Sequence, residues 1–166
     1  MAHLLEQAAA DRAGPGLAVA EDAAAIVRAA RAMAQRFRGG ARLVTFGRDG
    51  AAADAAHLAV EFTHPVIVGK RALPAISLGD AIWLVPVLGR PQDIAVGIAP
   101  GDTDLTLARE LGMLTIALTA AGAQPDVDHV LAARSQQPLI VREVHVTIYH
   151  LLWELAQVFL ESEAPT

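Results

Sequence analysis

The stretch from Arg42 to Glu61 limits the possible folds more than any other part of the chain. Arg42-Leu43-Val44-Thr45-Phe46 is a short apolar run, Gly47-Arg48-Asp49-Gly50 interrupts it, and alanines with Asp54, His57 and Glu61 then continue at helical spacing. This reads as a strand, a glycine turn and a helix. A strand that is apolar throughout, rather than alternating, is buried on both faces and belongs to a parallel sheet whose crossovers are helices. Further strands are predicted near 75–78, 93–99, 114–119 and 127–132, with a brief helix over 105–111, while residues 83–87 read as either strand or loop. The predicted class is therefore α/β, a flavodoxin-like three-layer αβα domain around a central parallel sheet.

Helices are predicted over 2–12 and 20–37, separated by Gly14-Pro15-Gly16. A long amphipathic helix over 141–161 closes the chain, with a polar stripe at Glu143, Thr147, His150, Glu154, Gln157 and Glu161. No linker-like segment divides the 166 residues, so the expectation is one domain, with 1–38 as an N-terminal helical region and 40–166 as the core and last helix. The apolar surface of the terminal helices is wider than one small sheet requires, which predicts packing against a second subunit, as a dimer or tetramer.

A net charge of −5 gives no basic footprint for nucleic acid, and Arg28, Arg31, Arg36 and Arg38 are spaced as a solvated helix face. The absence of cysteine excludes disulfides, thiolate metal sites and a cysteine nucleophile, and fits a cytoplasmic location. The first residues do not form a basic leader before an apolar core, and Asp80 interrupts the longest apolar stretch, so neither export nor a membrane span is expected.

In a doubly wound sheet, ligands gather at the carboxyl ends of strands, which directs attention to Gly47-Arg48-Asp49-Gly50 and Ala99-Pro100-Gly101-Asp102-Thr103. Each is either an anion-binding turn of backbone N–H groups or a plain turn with an aspartate cap. His57 and Glu61 are four apart with His64 three further on, so one helix face could present ligands to a divalent metal, or could simply carry an ion-paired histidine. Pro65 predicts that this helix ends by His64. On the last helix Glu143, His150 and Glu154 share a face, whereas His145 sits in an apolar setting typical of a satisfied core residue.

The segment Gly47-Arg48-Asp49-Gly50-Ala51-Ala52-Ala53-Asp54-Ala55-Ala56-His57, followed by Glu61, resembles Gly-Asn-Gly-Gly-Ser-Ala-x-Asp-Ala-x-His-x-x-x-Glu of the phosphoheptose isomerases, a family of sugar-isomerase (SIS) domains. Leu73 to Leu78, Leu88 to Asp93, Leu111-Gly112-Met113 and Glu143 to His150 resemble that family's landmarks in the same order. The resemblance implies binding of a phosphosugar or other carbohydrate derivative, and isomerisation of sedoheptulose 7-phosphate by proton transfer, in homotetramers with active sites between subunits and often a zinc ion (Zn2+). It implies Glu61 as general base and His150 as general acid, with His57, Glu61 and His150 matching three of four usual metal ligands. Substrate contacts would come from Gly47, Arg48, Asp49, Gly50, Ala51, Gly101, Asp102, Thr103 and Arg142.

Several of these positions depart from the family pattern. Ala51 replaces a serine, Arg48-Asp49 replaces Asn-Gly, and residues 99–103 stand where the family has Ser-Thr-Ser-Gly-Asn-Ser. Arg142 occupies the place of a glutamine ligand, and a guanidinium does not coordinate metal, although it can contact phosphate. Between Leu78 and Leu88 a helix's worth of family residues is missing. Two readings follow, an acid–base isomerase and a non-catalytic SIS module that senses a ligand or scaffolds a partner.

Overall fold

The computed structural model describes residues 1–99, 101 and 104–162. Five strands, β1 (Leu43–Gly47), β2 (Ala75–Ser77), β3 (Ile94–Ile98), β4 (Leu114–Thr119) and β5 (His129–Ala132), form one sheet in the order β2-β1-β3-β4-β5. Every neighbouring pair is parallel. The central strands β1, β3 and β4 are buried at every position, as their unbroken apolar runs require.

The two-residue period of each strand sorts its side chains between two cores. Leu43, Ile94, Val96, Ile98, Leu114, Ile116 and Leu118 face the larger core, where they meet α2 (Ala23–Arg38), α3 (Gly50–Thr63) and α6 (Pro138–Ser162). Val44, Phe46, Ala95 and Ala117 face the smaller one, covered by Leu78, Ile82 and Val85 around α4 (Val85–Leu88), and by Leu105 and Ala108 around α5 (Thr106–Glu110). Residues 82–88 are helical, a 3-10 turn running into α4, rather than the strand or loop allowed by their sequence. Ile82 and Val85 are buried three apart, on one helical face, which decides the conformation.

The first helix, α1 (Ala2–Ala18), runs straight through Gly14-Pro15-Gly16, where the sequence predicted a break. Proline removes one backbone hydrogen bond and glycine lacks helix propensity, yet none of the α1 residues is buried, so solvent can satisfy the freed carbonyl. A bidentate contact from Arg12 to Glu143, at 2.8 and 3.1 Å, ties α1 to α6. Three of the arginines expected on a solvated face of α2 are instead engaged. Arg36 donates to the carbonyls of Pro91 and Gly112, Arg31 lies 5.0 Å over the Phe159 ring, and Arg38 donates to the Phe159 carbonyl.

Gln157, placed in the polar stripe of α6 from sequence, is 1% exposed and donates to the Arg71 carbonyl at 2.9 Å. His145 is a core residue, as its apolar setting implied, with Nε2 3.0 Å from the Thr119 carbonyl. No helix among the described residues is long and apolar enough to cross a membrane.

Candidate functional site

The sheet order reverses direction between β1 and β3, so the loops at their carboxyl ends flank the crevice where ligands bind in doubly wound folds. Each of these loops contains a non-glycine residue with positive φ, Asp49 at 49° and Ala99 at 46°. Backbone of this kind is costly and is retained where a turn must be held in one shape. Gly47 is indispensable to the first turn, because a Cβ there would lie 2.7 Å from the Ala51 carbonyl oxygen.

Asp49 precedes α3 but makes no side-chain capping bond, which corrects the expectation of an aspartate cap. Arg48 instead reaches across the crevice to Asp104, with Nε 3.0 Å from Oδ2 and a terminal nitrogen 2.6 Å from Oδ1. Asp104 is 6% exposed and also accepts the Gly101 N–H at 2.7 Å. The hydrogen bonds from Arg48 lead in holding its carboxyl below the usual aspartate value, against the opposing effect of burial. Asp102 and Thr103, together with Pro100, lie outside the described residues.

A polar file runs along the groove between α3 and α6. At its upper end Arg142 forms a bidentate pair with Asp54, at 2.8 and 2.9 Å, close enough to Gly50 that a Cβ there would meet the guanidinium at 3.3 Å. Two helical turns further along, the buried Tyr149 hydroxyl lies 2.7 Å from Nδ1 of His57. Burial pushes the Tyr149 phenol up to about 12, so it remains a neutral hydroxyl that holds Nδ1, donating or accepting according to the tautomer of the ring. Nε2 of His57 faces Oε1 of Glu61 at 3.0 Å. Nε2 of His150 lies 3.9 Å from the same oxygen.

The helical repeat explains why these groups meet. His57 and Glu61 are one turn apart on α3, and α6 crosses that face so that consecutive residues, Tyr149 and His150, both meet the His57 ring edge-on, with ring centres 5.4 Å away. Glu61 and His150 also line an open pocket of about 210 Å³ with Val66, Ile67, Trp153 and Glu154.

One donor atom each from His57, Glu61 and His150 lies within 4.8 Å of the others. Two imidazoles and a carboxylate are ordinary zinc ligands, and three protein ligands with an open fourth position is the pattern of catalytic zinc. The donor set therefore fits the ion. His64 caps α3, is exposed and stands outside the cluster, and Arg142 is committed to Asp54. Sequence reasoning thus found the three clustered residues but missed Tyr149, which holds His57, and the partners of the two arginines, Asp54 for Arg142 and Asp104 for Arg48. Tyr149 was the most accessible of these, since a tyrosine within an apolar helix face needs a partner for its hydroxyl.

No protein-family model matches the chain. It is 31% identical over 164 aligned positions to a phosphoheptose isomerase from Roseiflexus sp. (strain RS-1), covering 83% of each chain. Against a phosphoheptose isomerase from Desulfovibrio desulfuricans it is 34% identical over 168 aligned positions, covering 85% of this chain and 80% of the relative. In fold, the structure of a phosphoheptose isomerase from Francisella tularensis matches with a TM-score of 0.83 at 21% identity, over 94% of this chain and 97% of that one. A phosphoheptose isomerase from Neisseria gonorrhoeae gives a TM-score of 0.79 at 24% identity, over 93% and 99%. The switch-point sheet, the α3–α6 groove and this degree of sequence identity agree, and the chain belongs to the phosphoheptose isomerase family of SIS domains.

Proposed function

We propose that the chain is a phosphosugar aldose–ketose isomerase acting on sedoheptulose 7-phosphate or a close relative, with Glu61 and His150 as its proton-transfer pair. The observation that carries this reading is the convergence of both groups on one open pocket, 3.9 Å apart and on different helices. Moving a carbonyl between adjacent sugar carbons requires a base to take a proton from one carbon and return it to the next, while an acid serves the oxygens. Glu61 is 13% exposed at its side chain, enough to reach a substrate carbon while sheltered from bulk water. His150, 40% exposed, stands where it can give a proton to one sugar oxygen and take one from the other. Tyr149 fixes the ring of His57, which in turn orients the Glu61 carboxylate through Oε1.

His57, Glu61 and His150 would hold a zinc ion. When bound, that ion supplies a Lewis acid that polarises the carbonyl oxygen. At the other end of the groove, the N-terminus of α3 and the one Arg142 terminal nitrogen that Asp54 leaves unused, beside Gly50, are offered to the phosphate.

The same reading makes the protein a cytoplasmic homo-oligomer. The exposed Leu4, Leu5 and Leu17 of α1, and an apolar cavity of about 440 Å³ between Gly16, Ile26 and Leu155, support an assembly through the terminal helices.

The reading is tested by turnover of sedoheptulose 7-phosphate by zinc-loaded protein, with Glu61→Gln alongside. Loss of at least about 10²-fold in kcat for the variant is expected from removal of a general base. Unchanged turnover in the variant would remove Glu61 from the role. No turnover by the wild type, together with no thermal stabilisation by zinc or sugar phosphate, would favour the non-catalytic module, a reading that the Arg48–Asp104 closure of the crevice also supports.

A further inference from the structure

Arg48 and the Gly101 N–H converge on one point at the top of the sheet, one from the loop after β1 and the other from the loop after β3. A guanidinium fork and a backbone donor aimed together form an oxyanion site, since each is strongest against a charged acceptor. The point is already filled. Both carboxylate oxygens of Asp104 are used, Oδ1 by Arg48 and Oδ2 by Arg48 and Gly101. The side chain of Asp104 is 4% exposed, whereas that of Arg48 is 59% exposed.

We propose that Asp104 is the resident anion of this site and sets its selectivity: an external phosphate group reaches Arg48 and the Gly101 N–H only by displacing the Asp104 carboxylate. Two anions cannot share these donors, because the second would lie against a buried like charge. Asp104 is also tethered, so it competes at an effective concentration of about millimolar or more, which a free ligand must exceed. Phosphate binding at the switch point is therefore weak in this chain, and the charge of residue 104 controls it. The inference concerns the phosphate end of the proposed phosphosugar site and rests on that reading only for its link to substrate.

Isothermal titration with inorganic phosphate tests it without any need for turnover, so its failure and that of the isomerase assignment are separable. Asp104→Asn keeps the shape and an acceptor for Gly101 but removes the charge, and is expected to bind inorganic phosphate at least about tenfold more tightly than the wild type. Adding Arg48→Gln to that variant should abolish the gain. Equal affinity in wild type and D104N, or a gain that survives loss of Arg48, would overturn the proposal. Asp104→Ser serves as a second variant should the first fold poorly. In the wild-type protein the Arg48 Nε–H resonance provides an independent readout. It should stay in place over the phosphate concentrations that saturate the variant, and a saturating shift there would equally overturn the proposal.

Discussion

Tyr149 shows how much one buried hydroxyl can settle about a site. Its position against Nδ1 of His57 leaves Nε2 as the nitrogen facing Glu61, so the orientation of the ring is fixed by α6 and not by α3, which carries it. Groups that hold the far nitrogen of a metal-binding histidine typically affect metal affinity by roughly 10–100-fold. Tyr149→Phe is thus expected to weaken zinc binding about tenfold or more, measured by titration of metal-free protein, while the melting transition stays cooperative. Unchanged zinc affinity would show that His57 needs no such support. His145 provides a second prediction at this scale. Burial leads in lowering its imidazole below the ordinary value of 6.5, against the opposing pull of the Thr119 carbonyl. Below that value the unfolded chain takes up a proton that the folded one resists, so stability is full above about 6.5 and declines as the pH falls towards the lowered folded value. His129, also lowered chiefly by burial, adds to the same slope. Urea denaturation across this range should show the decline, and His145→Asn should reduce its steepness. At the residue scale the sequence carried the identities of His57, Glu61 and His150. It could not carry the pairing of Arg142 with Asp54, because the two are 88 positions apart and only the packing of α6 on α3 brings them together.

The elements divide into a thick layer and a thin one. α2, α3 and α6 cover one face of the sheet with a continuous core that includes Leu43, Met33, Phe62 and Tyr149, whereas the other face relies on the four-residue α4 and five-residue α5. The contact of α2 with α6 therefore holds in place the helix that carries Tyr149 and His150. Leu152 is fully buried there, one turn from Tyr149, and Leu152→Ala should cost about 2–5 kcal/mol of stability in chemical denaturation. A cost well under 1 kcal/mol would mean that the groove is more loosely packed than its burial indicates. At the opposite end of the sheet Asp93, fully buried, binds Arg42 and Arg90 and joins the starts of β1 and β3. Element types were legible wherever the period was long, as in α6, and failed where propensity and context conflict. Gly14-Pro15-Gly16 carries every local sign of a break, yet an exposed helix tolerates it because no buried backbone group is stranded.

As a whole, the molecule presents α1 as a helix with no buried residue, held to α6 by Arg12 and Glu143, with Leu4, Leu5 and Leu17 open to solvent. A surface like this is expected to be covered by further copies of the chain, and sedimentation at micromolar concentration should give a dimer or tetramer. A monomer throughout that range would refute the assembly. Charge acts on a different level: the net charge is −5, and Arg31, Arg36 and Arg38 of α2 are engaged with loops and with α6. The sequence by itself determined the parallel sheet, the glycine turn before α3 and the two helices that bear His57, Glu61 and His150, because apolar runs, glycine and helical spacing are local properties. Only the tertiary structure decided that Arg48 is held by Asp104, that Arg142 serves Asp54, and that Tyr149 stands behind His57. Those contacts depend on how separate elements approach, and the approach is set by the packing of the whole core rather than by any one stretch of chain.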